Sequence, residues 1–259
     1  MLLTIVPDRR PQDALHLLGS ERAQASGIEW VLEPDLEGWH DGAELRVEEM
    51  PEIPGMHGTF WPDEVLMGAR VLTIPGYVQV RGEAGSSLGL AAARNRLLGL
   101  VGEPLTIQVI DEAGPLQVSG YLAAPPILQR RVARRRFGFS LVVRCPDPLK
   151  YGPLVHHRHT VGETSLELEN SGTGDVAFVV SAATRIRSLL VELGQNRVEW
   201  IGDATGLVLD LADGRPLAPS GSETGYLVSA DAVRVPPGVH ALRVVADAPV
   251  TVSIRPGWK

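Results

Sequence analysis

The chain has a single cysteine, Cys145, only two lysines, Lys150 and Lys259, and few aromatic residues, 5% of 259. One cysteine excludes an internal disulfide and a zinc site built from cysteines, and points to folding in a reducing cytoplasm. No run approaches the roughly 18 apolar residues of a membrane-spanning helix. The opening MLLTIVPDRR has too short an apolar stretch, with no basic leader, and reads as neither signal peptide nor span. No membrane partner is expected. A basic excess is missing as well. The formal net charge is -7, with 19 acidic against 15 basic residues before Pro153 and 12 against 9 after it. Neither half has the positive surplus that non-specific phosphate binding requires, which argues against nucleic acid as a tightly held partner.

What the chain does contain is strand pattern. Phe137, Phe139, Leu141 and Val143 alternate with Gly138, Ser140, Val142 and Arg144, the period of a strand with one face on a core. Pro146, Pro148, Gly152 and Pro153 follow at once, and prolines cannot extend a ladder. The chain is therefore expected to leave one body here and enter another, with domains at 1–153 and 154–259 and a junction at Pro146, Asp147, Pro148 and Tyr151. Ahead of it, runs rich in Val, Ile, Leu and Thr at 2–6, 28–33, 43–49, 69–82, 105–111, 116–124 and 127–145 alternate with Gly, Pro and Asp-Gly breaks. That spacing predicts a mainly β unit. Pro75-Gly76 interrupts the longest run and predicts a bulge or an edge position. Only Ser87 to Leu100 reads as a helix, with Leu90, Arg94, Leu97, Leu98 and Val101 at helical spacing and Gly102 and Pro104 ending it. One helix among so many strands predicts an antiparallel sandwich with the helix on its side or end. After the junction about eight short strands in roughly 100 residues predict a jelly-roll β-sandwich.

Chemistry-bearing patterns are few. Gly85-Ser86-Ser87-Leu88-Gly89 has the spacing of a nucleophile elbow, but an elbow needs a parallel sheet that this strand order does not build, and a serine cap on the helix is the simpler reading. His156, His157 and His159 cluster beyond Pro153. In a strand His157 and His159 share a face, yet no cysteine or carboxylate stands at complementary spacing, so an exposed run is favoured over a metal site. Trp200, Tyr226 and Trp258 are candidate sugar-stacking surfaces, with core and rim packing the alternative. The sharpest charge feature is Arg130, Arg131, Arg134, Arg135 and Arg136, set against the acidic Asp41, Glu44, Glu48, Glu49 and Glu52. Opposed stripes of this kind fix register between protomers. A solvated hairpin face is the alternative.

A set of landmarks runs nearly the whole length. Trp30-Val31-Leu32 precedes Gly38-Trp39, and Pro54 to His57-Gly58 leads a long strand, a helix and paired strands. Phe139 to Cys145-Pro146-Asp147-Pro148 ends with Tyr151-Gly152. In the second half come Glu169-Asn170-Ser171-Gly172-Thr173, Leu209-Asp210 before Asp213-Gly214, Pro237-Gly238-Val239-His240 and a terminal Arg255 to Trp258. In this order the chain resembles the distal tail proteins of long-tailed, non-contractile bacteriophages. The resemblance implies an amino-terminal β-sandwich with one helix and a protruding hairpin, forming a hexameric belt around a channel, and a galectin-like carboxy-terminal sandwich on the outside. It implies a virion structural protein, from a phage or a related prophage or gene-transfer particle. Such a ring joins the tail tube protein to the tail-tip protein and meets DNA only in transit through its lumen. It supplies no catalytic, cofactor or metal residues. The rival expectations are a saccharide-binding module for host-surface adsorption and a serine hydrolase.

Overall fold

The computed structural model describes residues 1–19, 27–46, 51–54, 56–57, 59–60, 65–81, 87–131 and 136–259, the side chains of 81, 87, 130 and 131 excepted. They form two compact units, Met1–Lys150 and Tyr151–Lys259, divided just ahead of Pro153.

In the first unit the strands are β1 (Leu2–Pro7), β2 (Leu15–Leu18), β3 (Gly27–Leu32), the two-residue β4 (Leu45–Arg46) and β5 (Leu66–Met67), and the long β6 (Arg70–Arg81). Helix α1 (Ser87–Leu98) follows, then β7 (Leu105–Asp111), β8 (Gly114–Leu122), β9 (Ile127–Arg131) and β10 (Arg136–Cys145). Seven strands close into a ring in the order β8, β7, β1, β2, β3, β6, β10, with β10 returning to β8. The closing pairs are Val143 with Leu122 and Arg144 with Tyr121. Within the ring only β2 and β3 run parallel, meeting at Leu18 and Val31.

The expected open sandwich is thus a closed, barrel-like sheet. The reason lies in β10, whose second edge is shared: β9 pairs with Arg136–Ser140 and β8 with Val143 and Arg144. Pro125 and Pro126 separate these two partners, so one continuous stretch of chain bends and stays against the same strand. Strand periodicity is the same in a sandwich and a barrel, and only this long-range pairing distinguishes them.

Alternation places Leu3 and Ile5 of β1, Leu72, Ile74, Val78 and Val80 of β6, and Leu141 and Val143 of β10 in one core. Pro75-Gly76 is not a bulge, and Pro75 takes a local edge position on the β3 side. β6 pairs with β10 from Arg70 to Gln79 without a register shift, and with β3 from Gly76 onward. Pro75 lies just past the last β3 pair, where its missing N–H is tolerated. Gly76 is required by space: a Cβ there would lie 2.5 Å from the Phe139 ring and 2.7 Å from the Val31 carbonyl oxygen. Phe139 in turn meets Trp30 edge-on at 5.9 Å.

The helix forms where expected but turns a different face inward. Ala93, Leu97 and Leu100 are buried with Leu90 packed beside them, whereas Leu98 and Val101 are 44% and 49% exposed. A true 3.6-residue stripe passes through the small Ala93, which a search for large apolar residues overlooks. Arginines tie the helix end down: Arg10 donates to the Gly99 carbonyl at 2.6 Å, and Arg96 donates to the Ala14 carbonyl at 3.1 Å while lying over Trp30. Carbonyls left over at a helix C-terminus favour such cations.

A short strand, β11 (Lys150–Tyr151), falls across the division. In the second unit come β12 (Val155–His159), β13 (Gly162–Asn170), β14 (Phe178–Leu193), β15 (Asn196–Asp210), β16 (Arg215–Leu217), β17 (Tyr226–Ala230), β18 (Gly238–Ala246), β19 (Val250–Ile254) and β20 (Gly257–Trp258). Strands β12 to β19 form one antiparallel sheet built on the long β14–β15 hairpin. Its two halves have different neighbours. β14 pairs first with β19 and then with β18, while β15 pairs first with β17 and then with β16. Register shifts between Ala182 and Arg185 and between Ile186 and Ser188 mark the change. Across them the buried positions switch from Phe178, Val180, Ala182 and Ile186 to Leu189 and Val191, and on the partner from Val198, Trp200 and Ala204 to Leu207 and Leu209. An extra residue flips the in-out alternation, so both halves keep an apolar face on one core.

The carboxy-terminal end is held by a fully buried amide. Asn170 donates to the carbonyls of Gly174 at 2.8 Å and Val235 at 2.9 Å, and accepts from the Gly172 amide at 3.1 Å and the Gly257 amide at 3.4 Å. Its hydrogen-bonding capacity is filled. Gly172 sits so close that a Cβ would lie 2.0 Å from the Gly257 carbonyl oxygen. Asn170→Leu, close in size but unable to make any of these bonds, is expected to lower unfolding free energy by about 2–4 kcal/mol, measured by urea denaturation. Ser171→Ala next to it should leave the midpoint unchanged.

Candidate interaction site

The exit from the first unit is organised by a buried cation. Arg70, at the start of β6, is 1% exposed and lies opposite Cys145 in the β6–β10 register. Its Nε donates to the Pro148 carbonyl at 2.8 Å, and its Nη1 donates to the carbonyls of Gly38 at 2.6 Å and Asp41 at 2.7 Å. One side chain therefore pins both the Gly38–Asp41 loop and the Pro146–Pro148 exit to the barrel. Lys150 adds a second pin, donating to the Trp39 carbonyl at 2.9 Å with its ammonium over the Trp39 ring. Gly38 has φ +77°, and a Cβ there would lie 2.0 Å from the Val71 carbonyl oxygen. Only glycine lets this loop lie against the strand. The exit itself is turned by Asp147, whose Oδ1 accepts from the Leu149 amide at 3.0 Å.

Burial dominates the electrostatics. Desolvation lowers the Arg70 pKa, with Cys145 and Asp41 opposing. Desolvation and then Arg70 lower that of Lys150, against Asp111 and Asp41. Burial pushes the Cys145 thiol up to about 11, with Arg70 pulling it down and Asp147 adding to the rise. A protonated, buried thiol is a poor nucleophile, so Cys145 acts as a core residue.

The charged stripes are placed as follows. Asp41 is exposed, and it is its main-chain carbonyl that holds Arg70. Glu44 is exposed and its carbonyl accepts from the Gly68 amide at 2.7 Å, closing the β4–β5 ribbon. Glu48 and Glu49 lie outside the described residues, and Glu52 bridges to Thr59. On the other stripe, β9 brings Arg131 opposite Arg136 and Arg130 opposite Phe137, while Arg134 and Arg135 lie outside the described residues. Arg136 is half-buried, with its guanidinium over the Tyr77 ring at 5.0 Å. The fold thus gathers Arg130, Arg131 and Arg136 at one end of the β9–β10 hairpin.

Ser87 opens α1, while Gly85, Ser86 and the Ser87 side chain lie outside the described residues; within the seven-strand ring only β2 and β3 run parallel, which is not the parallel sheet an elbow needs. His157 and His159 do share a face, and the run is a sheet strand exposed at His156 and Arg158 that buries one histidine, His159, which is 3% exposed with its Nε2 at 3.1 Å from the Gly162 carbonyl oxygen. Among the described residues no three His, Cys, Asp or Glu side chains are grouped to hold a metal ion. Trp200 is fully buried, its indole N–H donating to the Thr224 carbonyl at 2.9 Å, which removes it as a stacking surface. Trp258 is half-buried, with Gly152 at its ring. Tyr226 alone of the three is open, at 62% exposure.

No protein-family model and no curated protein matches the sequence. Among solved structures, the crystal structure of SPP1 Dit superposes with a TM-score of 0.62 at 16% identity, covering 100% of both chains. The chain has the fold of SPP1 Dit. The match spans both units, and it falls on the family whose landmarks the sequence resembles. SPP1 Dit is described as a hub of the adsorption apparatus in phages infecting Gram-positive bacteria. The phage P2 baseplate in its activated conformation also matches. With calcium the TM-score is 0.44 at 8% identity over 97% of each chain, and with strontium it is 0.44 at 9% identity over 98% and 97%.

Arg70→Met is expected to lower stability by about 2–4 kcal/mol through three stranded carbonyls, and to open Cys145. Wild-type Cys145 should resist iodoacetamide at pH 8 in the folded state, while the variant is alkylated, read by intact mass. The raised thiol pKa also sets a pH dependence. Unfolded chains release this proton near 9, folded chains near 11. The contribution is therefore complete below 9 and is lost as pH rises towards 11. The stability gap between wild type and Cys145→Ala should narrow across that window.

Proposed function

We propose that this chain is a non-catalytic virion protein, the distal hub of a siphophage-like tail, working as a six-membered ring between the tail tube and the tail tip. The end-to-end match to SPP1 Dit is the observation that carries this reading. In it, residues 1–153 form the belt around the channel and residues 154–259 a galectin-like jelly roll outside it. A ring with cyclic symmetry joins unlike patches head to tail. The arginines Arg130, Arg131, Arg134, Arg135 and Arg136 supply one patch, and the acidic Asp41, Glu44, Glu48 and Glu49 supply the other. DNA passes through without being held, consistent with the acidic balance of the first half.

Native mass measurement of the full chain tests this. The expected species is six times the 27.8 kDa protomer, and a lone protomer at every concentration overturns the ring. Arg134→Glu with Arg135→Glu is expected to shift the mass to protomers, and Glu48→Arg with Glu49→Arg in the same chain to restore the assembly.

A further inference from the structure

In the second unit's sheet, β12, β13, β16 and β17 each have one neighbouring strand, which leaves four outer edges. Soluble proteins guard such edges with charge, proline or a covering segment, because unpaired N–H and C=O groups invite another strand. Three of the four are guarded. β13 carries Glu163, Glu167 and Glu169, and β12 carries His156 and Arg158. β16 contains Arg215 and Pro216, and the Thr224 amide donates back to the Pro216 carbonyl at 3.0 Å. β17 reads Tyr-Leu-Val-Ser-Ala, with no charge and no proline, and among the described residues it pairs with β15 alone, its one irregularity being a bulge that leaves Val228 unmatched between the Glu199–Ser229 and Trp200–Leu227 pairs. Its Tyr226 and Val228 are 62% and 51% exposed.

This edge is also anchored at both ends. At its start Trp200, from the core, holds the Thr224 carbonyl, and Gly225, at φ +63°, lets the chain pass where a Cβ would lie 2.4 Å from the Trp200 indole nitrogen. At its end the Asp231 amide donates to the Arg197 carbonyl at 3.0 Å, and the Arg197 amide donates to the Asp231 carboxylate at 2.8 Å. Both ends are fixed while the outward backbone of the five residues between them stays open. A pre-organised edge of about 17 Å suits strand addition, in which main-chain hydrogen bonds supply affinity and alternate side chains supply selectivity. Beside it lies the outward pair Tyr226 and Ile201, an apolar seat for every second residue of an incoming strand. Glu223 and Asp231 bracket the edge, so the complementary strand has basic flanks.

We propose that β17 is a docking edge for an extended segment of a different protein, one with alternating apolar residues between basic flanks. Exclusion of a second copy rests on the ring reading above, since antiparallel pairing of β17 with itself needs a two-fold axis that a single six-membered ring lacks.

The test uses the full chain and a fluorescent ten-residue peptide of alternating valine and threonine between paired lysines, read by anisotropy and by amide exchange. Binding with new protection at Tyr226–Ala230 is expected. Glutamate flanks should weaken it about tenfold or more, and N-methylation of alternate peptide amides should abolish it. Val228→Lys and, independently, Tyr226→Asp should each weaken it about tenfold. No binding of the lysine-flanked peptide, binding indifferent to N-methylation, or binding unchanged in both variants overturns the proposal. So does protection of β17 that grows with protein concentration alone and vanishes in Val228→Lys, which would make the occupant a second copy. Native mass recorded in parallel separates the two readings: a ring without peptide binding removes the docking edge only, and peptide binding by a lone protomer removes the ring only.

Discussion

The first unit depends on one strand being paired on both edges. β10 has β6 along one side and, along the other, β9 and then β8. Without the two pairs Val143–Leu122 and Arg144–Tyr121 the sheet would be open between β8 and β10. With them the ladder closes and the edge problem disappears for the ring itself. Closure also explains why Gly120 and Gly76 stand where they do. A Cβ on Gly120 would lie 2.5 Å from the Arg144 carbonyl oxygen, and one on Gly76 would strike Phe139 and Val31, so each glycine marks a close approach made by curvature.

Arg70 translates that closed sheet into a defined exit. It stands at the first residue of β6, opposite the last residue of β10, and binds the carbonyls of two segments that have no strand partners of their own. Burying a guanidinium is costly, and three carbonyl acceptors offset much of that cost while fixing direction. The second unit solves a comparable problem with a neutral group. Asn170 joins the neighbouring Gly172 and Gly174 to the distant Val235 and Gly257 and needs no counter-charge. In both units a buried polar side chain orders irregular backbone at the point where the regular ladder ends.

The two units treat their edges differently. Among the described residues the first closes a seven-strand ring, with β9, β11 and the β4–β5 ribbon outside it. The second leaves four edges and guards three. Charges on exposed strands cost little and prevent unwanted pairing, so their absence from a single anchored strand is a feature of the surface that burial of the core does not explain.

Much of this was legible in the residues. Alternation marked most strands, Ser87 to Leu100 read as the helix that the structure shows over Ser87–Leu98, and the landmarks from Trp30 to Trp258 pointed to the fold that the end-to-end match then displayed. Asn170 stood inside one of those landmarks, although only its partners give the reason. The amino-acid order by itself determined local structure, because periods of two and 3.6 depend on neighbours in the chain. Tertiary structure decided what depends on distant partners: barrel in place of sandwich, the inward face of α1 through Ala93, burial of Trp200 and His159, and the lone bare edge at β17. None of these has a local signature. Each is set by which strand lies alongside, and that pairing joins residues as far apart as Arg70 and Cys145 or Asn170 and Gly257.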